Sequence, residues 1–167
     1  QVTYDKSVPL SNFINEAEPF TVIEIPSGNY EICTHIKIPL HIKAASGAKV
    51  TLTGSADSEV LISSSPFLIL ENLNLVQNSP TWGAVVISSG FARILNCDIK
   101  SVSFSPLSIQ GEKINLGDGA TVEVENCHFH GSQKPCVLVQ HNSTIYICNT
   151  KIEGSQTYGI WIQLASK

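Results

Sequence analysis

The sequence predicts an all-β solenoid, a chain coiled so that each turn adds one short strand to each of several parallel sheets. Three observations point there. Four segments share one pattern: LENLNL (70–75), ILNCDI (94–99), VENCHF (124–129) and ICNTKI (147–152). Their asparagines, Asn72, Asn96, Asn126 and Asn149, recur at intervals of 24, 30 and 23 residues. A second apolar run follows each: AVVI (84–87), PLSI (106–109), CVLV (136–139) and GIWI (159–162), with SSG, GDG and HNS turns closing the first three units. Within the segments apolar residues alternate with period two, the mark of a strand. One such unit cannot bury its apolar face alone, so stacking of units must supply the core. A sandwich or barrel could use strands of this length, but neither predicts asparagines in one column.

Along the chain, SVPLSNFINEAEP (7–19) suits a short helix, with Ser11 as candidate N-cap and Phe13, Ile14 and Ala17 on one side. The segments FTVIEIPSGNYEICTHIKI (20–38) and PLHIKAASGAKVTLTGSADSEVLI (39–62) follow, with strand patterning but without the asparagine. In the third repeat Val122, Val124, Cys127 and Phe129 are expected to point inward, and Glu123, Glu125 and His128 outward. An odd step at Asn126 keeps both apolar pairs inward, so Asn126 turns a corner. Asparagine tolerates left-handed backbone and can bond its neighbours. In register, Asn72, Asn96, Asn126 and Asn149 then form a structural ladder, and Cys127 stacks beside Cys97.

The segment IEIPSGNYE (23–31) has the form I-x-I-P-x-G-x-Y. With the asparagine repeats, this resembles the right-handed parallel β-helices of the pectate-lyase-like superfamily, over about residues 9–163. The resemblance implies one domain, residues 1–167: a right-handed parallel β-helix of about five to six coils over 21–163. A short helix within 1–20 would cap its N-terminal end. The final coil, just after GIWIQ, leaves an exposed edge. The chain is therefore expected to be part of a longer protein or to be capped by a partner.

Composition bounds the function. Of 167 residues, 43% are hydrophobic and 14% charged, the balance of a folded chain. A net charge of −4 does not suit a phosphate-binding surface, so nucleic acid is excluded as the expected partner. No apolar run reaches membrane-spanning length. The five cysteines are odd in number and include no C-x-x-C pair. That argues against a disulfide framework and against a cysteine-based zinc site. No cofactor and no metal are expected. Free thiols favour a cytoplasmic or nuclear location; the NST sequon at Asn142 leaves secretion open.

Equivalent outward residues of a solenoid lie about 4.8 Å apart, so chemistry is sought in columns. Asn74, Asp98, His128 and Lys151 form one. Asp98, His128 and Lys151 are the catalytic candidates, a carboxylate–imidazole pair beside an amine; the alternative is a solvated row of mixed charge. Two further columns are Ile69, Arg93, Glu123, Tyr146 and Glu71, Leu95, Glu125, Cys148. The superfamily's calcium-using lyases need clustered acidic groups and its inverting hydrolases need paired carboxylates. The family motifs NTD and RxPxxR are absent, so no catalytic site carries over. His128 and His130 are expected to face outward together only with a bend after Phe129, and spacing shows no third ligand. They are read as surface histidines.

A fourth column, Val86, Ser108, Leu138 and Trp161, is expected to point away from the core. With Trp82 it makes a candidate binding stripe, since apolar outer surface marks contact sites and Trp is enriched in them. The inserted GEKINLGD (111–118) is expected beside this sheet. The expected function is a non-catalytic protein-recognition or scaffold module. It is similar to the β-helix repeat domains of intracellular proteins, of the F-box and Shc-binding spindle-protein types, which implies a protein partner. The alternatives are a polysaccharide lyase or glycoside hydrolase, with a polysaccharide as ligand, and a structural segment of a spike or adhesin.

Overall fold

The computed structural model describes residues 1–110 and 119–163. Strand β1 (Val2–Thr3) and helix α1 (Leu10–Asn15) precede six coils of three strands each. The first coil is β2 (Thr21–Ile25), β3 (Gly28–Ile32) and β4 (Thr34–Ile36). The second is β5 (Leu40–Ala44), β6 (Val50–Gly54) and β7 (Leu61–Ser63), and the third is β8 (Leu68–Glu71), β9 (Asn74–Gln77) and β10 (Val85–Ile87). The fourth is β11 (Phe91–Leu95), β12 (Asp98–Ser101) and β13 (Leu107–Ile109). The fifth is β14 (Thr121–Glu125), β15 (His128–His130) and β16 (Val137–Val139), and the sixth is β17 (Thr144–Cys148), β18 (Lys151–Glu153) and β19 (Ile160–Ile162).

Corresponding strands pair in parallel into three sheets. The first sheet runs β1-β2-β5-β8-β11-β14-β17, the second β3-β6-β9-β12-β15-β18, and the third β4-β7-β10-β13-β16-β19. This is the parallel β-helix that the repeats predict. Its core is columnar. Ile23, Ile42, Leu70, Ile94 and Val124 stack in register inside the first sheet, and Leu52, Leu75, Ile99 and Phe129 inside the second. All are buried. Each such side chain contributes about 1.5–3 kcal/mol by leaving water. The next members of these columns, Ile147 and Ile152 of the sixth coil, are only partly buried. An inward side chain is sealed by neighbours on both sides, and among the described residues no coil follows the sixth.

The N-terminal end is closed. Leu10 and Ile14 of α1 are buried, with Phe13 and Ala17 packed against the core. Ser11 is not the N-cap. Pro9 holds that position and makes no side-chain cap bond. Ser11 lies one residue inside the helix, where its hydroxyl accepts the Cys33 N–H at 3.2 Å and ties the helix to the first coil. Tyr4, after β1, is also buried and meets Phe13 and Tyr30 edge-on at 5.3 and 5.6 Å. In IEIPSGNYE the Tyr30 hydroxyl reaches back to donate to the Pro26 carbonyl at 2.8 Å. A Cβ on Gly28 would sit 2.8 Å from the far end of the Tyr30 ring, so a larger residue there would push the ring aside.

The corner between the first and second sheets is two residues long in the third to sixth coils: 72–73, 96–97, 126–127 and 149–150. Asn72, Asn96, Asn126 and Asn149 adopt the left-handed region, with φ of 57°, 52°, 54° and 45°. The ladder they form runs through the backbone. Asn72, Asn96 and Asn126 each donate their N–H to a carbonyl of the next coil, at 3.0, 3.0 and 3.2 Å. Their side chains are exposed. The residue after each asparagine points inward and links the coils. The Cys97 N–H is received by Cys127 Sγ at 3.4 Å, and the Cys127 N–H by Thr150 Oγ1 at 3.3 Å. Among the described residues no helix is long and apolar enough to cross a membrane.

Candidate functional site

The strand register places Asn74, Asp98, His128 and Lys151 side by side on the outer face of the second sheet. Beside them runs the column Lys100, His130, Glu153. The asparagine corner sets this phase: Asn126 reverses the alternation, so His128 emerges outward, Phe129 inward and His130 outward again. No bend after Phe129 is involved. Residues two apart in a strand share a face, and the expectation of a bend is corrected on that ground.

Asp98 is the hub. Its Oδ2 lies 3.0 Å from His128 Nδ1 and its Oδ1 2.7 Å from His130 Nε2. The far nitrogen of His128, Nε2, is 2.9 Å from Glu153 Oε1. The two imidazoles are stacked, with ring centroids 4.2 Å apart and planes 12° from parallel. Lys151 does not join the pair predicted for it. Its ammonium lies 2.7 Å from Glu153 Oε1, because that carboxylate is the accessible anion on its own strand. The hydrogen bond from Lys151, and next that from His128, hold the Glu153 carboxyl below its usual range. The direct partners of the predicted Asp98–His128 pair are therefore His130 and Glu153. Spacing showed no third donor beside the two histidines; Asp98 of the neighbouring coil stands in that place. The ligating atoms of Asp98, His128 and His130 all lie within 4.8 Å of one another.

The other outward networks are ion pairs. Arg93 reaches Glu123 at 3.4 Å and Glu125 at 3.7 Å, and His41 reaches Glu71 at 2.9 Å. Half-exposed pairs of this kind contribute about 0–1 kcal/mol each. Cys97 is buried, and its hydrogen bond with Cys127, together with burial, pushes its thiol well up. A thiol held in that form is a poor nucleophile.

The fourth column falls in register as Val86, Ser108, Leu138 and Trp161. It is not an exposed stripe along its length. Val86 is 8% and Ser108 7% exposed, Leu138 is half-buried and only Trp161, at 44%, is open. Val86 lies between Ile62 and Ser108, whereas Trp161 has Leu138 on one side only. Trp82 is half-buried at the corner before β10, and its carbonyl accepts the Ser101 hydroxyl at 3.3 Å. Along this sheet and the corner leading into it, the sixth coil exposes Tyr158, Ile160, Trp161 and Ile162 together, and Tyr158 meets Trp161 edge-on at 5.3 Å; Phe20, Phe67 and Phe104 are exposed elsewhere. The insertion at 111–118, expected beside this sheet, lies outside the described residues.

A solenoid of six coils with an outward polar cluster on one sheet and an apolar end on another defines the class, and comparison with known families agrees. The family described as right handed beta helix region matches residues 58–167, and the chain belongs to it. No curated protein and no solved structure matches.

Proposed function

We propose that this β-helix is a non-catalytic protein-recognition module that binds a protein partner through its sixth coil. The observation that carries this reading is the exposed group Tyr158, Ile160, Trp161 and Ile162 on the outermost strand of the third sheet and the corner leading into it. Tryptophan and tyrosine dominate the energetics of protein interfaces. Among the described residues β19 is the outermost strand of its sheet, and an outermost strand offers a template for a partner's main chain. The similarity to intracellular β-helix repeat domains favours the same role, and free thiols favour a reducing compartment.

The test is affinity capture of partners with the wild-type chain, repeated with Trp161→Ala and Leu138→Ser. The reading expects the captured partner to be lost with Trp161→Ala and weakened with Leu138→Ser. Unchanged capture by both variants would sink it. The second reading, a polysaccharide lyase or glycoside hydrolase, has one observation in its favour: the Asp98–His128 hydrogen bond at 3.0 Å. Turnover of an acidic polysaccharide that disappears in Asp98→Ala and His128→Ala would establish that reading over the first.

A further inference from the structure

The cluster on the second sheet poses a problem of valence. A neutral imidazole has one N–H and one lone pair. His128 faces a carboxylate oxygen at each of its nitrogens, Asp98 Oδ2 at 3.0 Å and Glu153 Oε1 at 2.9 Å. If Nε2 carries the proton and donates it to Glu153, the Nδ1 lone pair points at the Asp98 carboxylate. Two electron-rich atoms at that distance repel unless a proton or a metal cation lies between them. The second oxygen of Asp98 faces a second imidazole nitrogen, Nε2 of His130, at 2.7 Å.

We propose that Asp98, His128 and His130 form a binding site for a divalent transition-metal ion of the zinc class. The donors are His128 Nδ1, His130 Nε2 and a carboxylate oxygen of Asp98. Zinc takes such nitrogen and oxygen ligands at about 2.0–2.2 Å, and a tetrahedron of that size spaces its ligand atoms roughly 3.3 Å apart. His128 Nδ1 and His130 Nε2 contact different oxygens of Asp98, at 3.0 and 2.7 Å, and the three donor groups lie within 4.8 Å of one another, so side-chain rotation brings one carboxylate oxygen and both nitrogens around the ion. Three protein ligands leave one position for water or for a group from outside.

The surroundings are built for this. Glu153 accepts from the far nitrogen of His128, the arrangement in which a carboxylate orients a ligating histidine and selects its tautomer. Both histidines sit on β15, which is paired on either side with β12 and β18, and their stacked rings fix each other. Lys100 and Lys151 flank the histidines in register and oppose a cation; Glu153 draws the Lys151 ammonium to 2.7 Å and offsets that charge. The ion would join the fourth and fifth coils directly and the sixth through Glu153. The site depends on no partner of the sixth coil.

The experiment is calorimetric titration of Zn2+ into the full chain carrying Cys33→Ser and Cys148→Ser, because those exposed thiols would also take zinc. The expected result is one Zn2+ per chain, lost in both His128→Gln and His130→Gln. Glu153→Gln is expected to keep the site with affinity weakened by about 10- to 100-fold. Co2+ in place of Zn2+ is expected to give the visible absorption of a tetrahedral or five-coordinate site with nitrogen and oxygen ligands. Zn2+ should raise the melting temperature of the parent but not of His130→Gln, a readout that also reports whether each variant is folded. Binding only in the millimolar range, or stoichiometric binding that survives either histidine substitution, would overturn the proposal.

Discussion

At the corner between the first and second sheets the chain turns in two residues in each of the last four coils. At the corner between the second and third sheets the same coils take residues 78–84, 102–106, 131–136 and 154–159, five to seven in number. The short corner relies on backbone conformation, a left-handed asparagine whose side chain is free to face solvent. The long corner relies, in three of these coils, on side-chain hydrogen bonds. Ser79, Ser132 and Ser155 each donate a hydroxyl to a carbonyl of the preceding coil, at 2.9, 2.8 and 2.9 Å. Each also accepts the N–H two residues ahead, at 3.2, 3.0 and 3.1 Å. Gly131 and Gly154, with φ of 78° and 75°, set up two of these serines. A corner of fixed length can be made by one conformational residue. A corner of varying length needs a side chain that holds the turn whatever its length.

The comparison can be broken at either corner. Ser132→Ala should cost the most, about 1–3 kcal/mol in urea unfolding, because it strands the Phe104 carbonyl and the Lys134 N–H beside a buried position. A loss below the error of the measurement would mean that the serine hydroxyl does not hold the long corner. Asn126→Ala should cost about 1–2 kcal/mol, the strain of placing a Cβ residue at left-handed φ. Asn126→Gly should cost far less, since glycine adopts that conformation freely. Equal losses for the two would show that the amide side chain matters after all.

The smallest effect is expected away from both corners, at the surface pair of Glu24 and Lys43. The hydrogen bond from Lys43 holds the Glu24 carboxyl below its ordinary range. A carboxyl depressed in the folded state adds stability above its unfolded pKa and loses it as pH falls through the folded value. Lys43→Ala should therefore lower stability slightly near pH 7 and leave it unchanged in acid, well below the carboxyl's range, so that the shallow acid loss disappears, as read from melting temperature against pH. A melting temperature lowered equally at both pH values would point to lost packing rather than to charge.

The contrast between the corners also explains what could be read before the coils were stacked. The asparagine corner has constant length, so Asn72, Asn96, Asn126 and Asn149 stand out in a single self-comparison. Because the corner never slips, it carries the strand phase across intact. That is why the column Asn74–Asp98–His128–Lys151 was legible with correct register, whereas the register of Val86–Ser108–Leu138–Trp161 was legible from the apolar runs AVVI, PLSI, CVLV and GIWI themselves. The serine corner is harder to read, because its length varies from five to seven residues and the GSQ shared at 131–133 and 154–156 is not repeated in the corners at 78–84 and 102–106. Residue type alone favours Ser11 as the helix cap, but Pro9 sets the start and Ser11 is recruited by the Cys33 N–H.

Alternation and repeat length sufficed to determine the solenoid and most of the side chains that enter the core of its first two sheets, since both depend on order along the chain; the resemblance put the coils at about five to six, and the structure has six. Partnership and exposure did not follow from order. Lys151 turns to Glu153 rather than His128, and His130 reaches Asp98 across a strand, because side chains on a sheet surface meet diagonally as well as within a column. Val86 is buried and Trp161 open within one column, because exposure depends on what is stacked alongside. Those outcomes are properties of neighbouring coils, and only stacking brings the neighbours together.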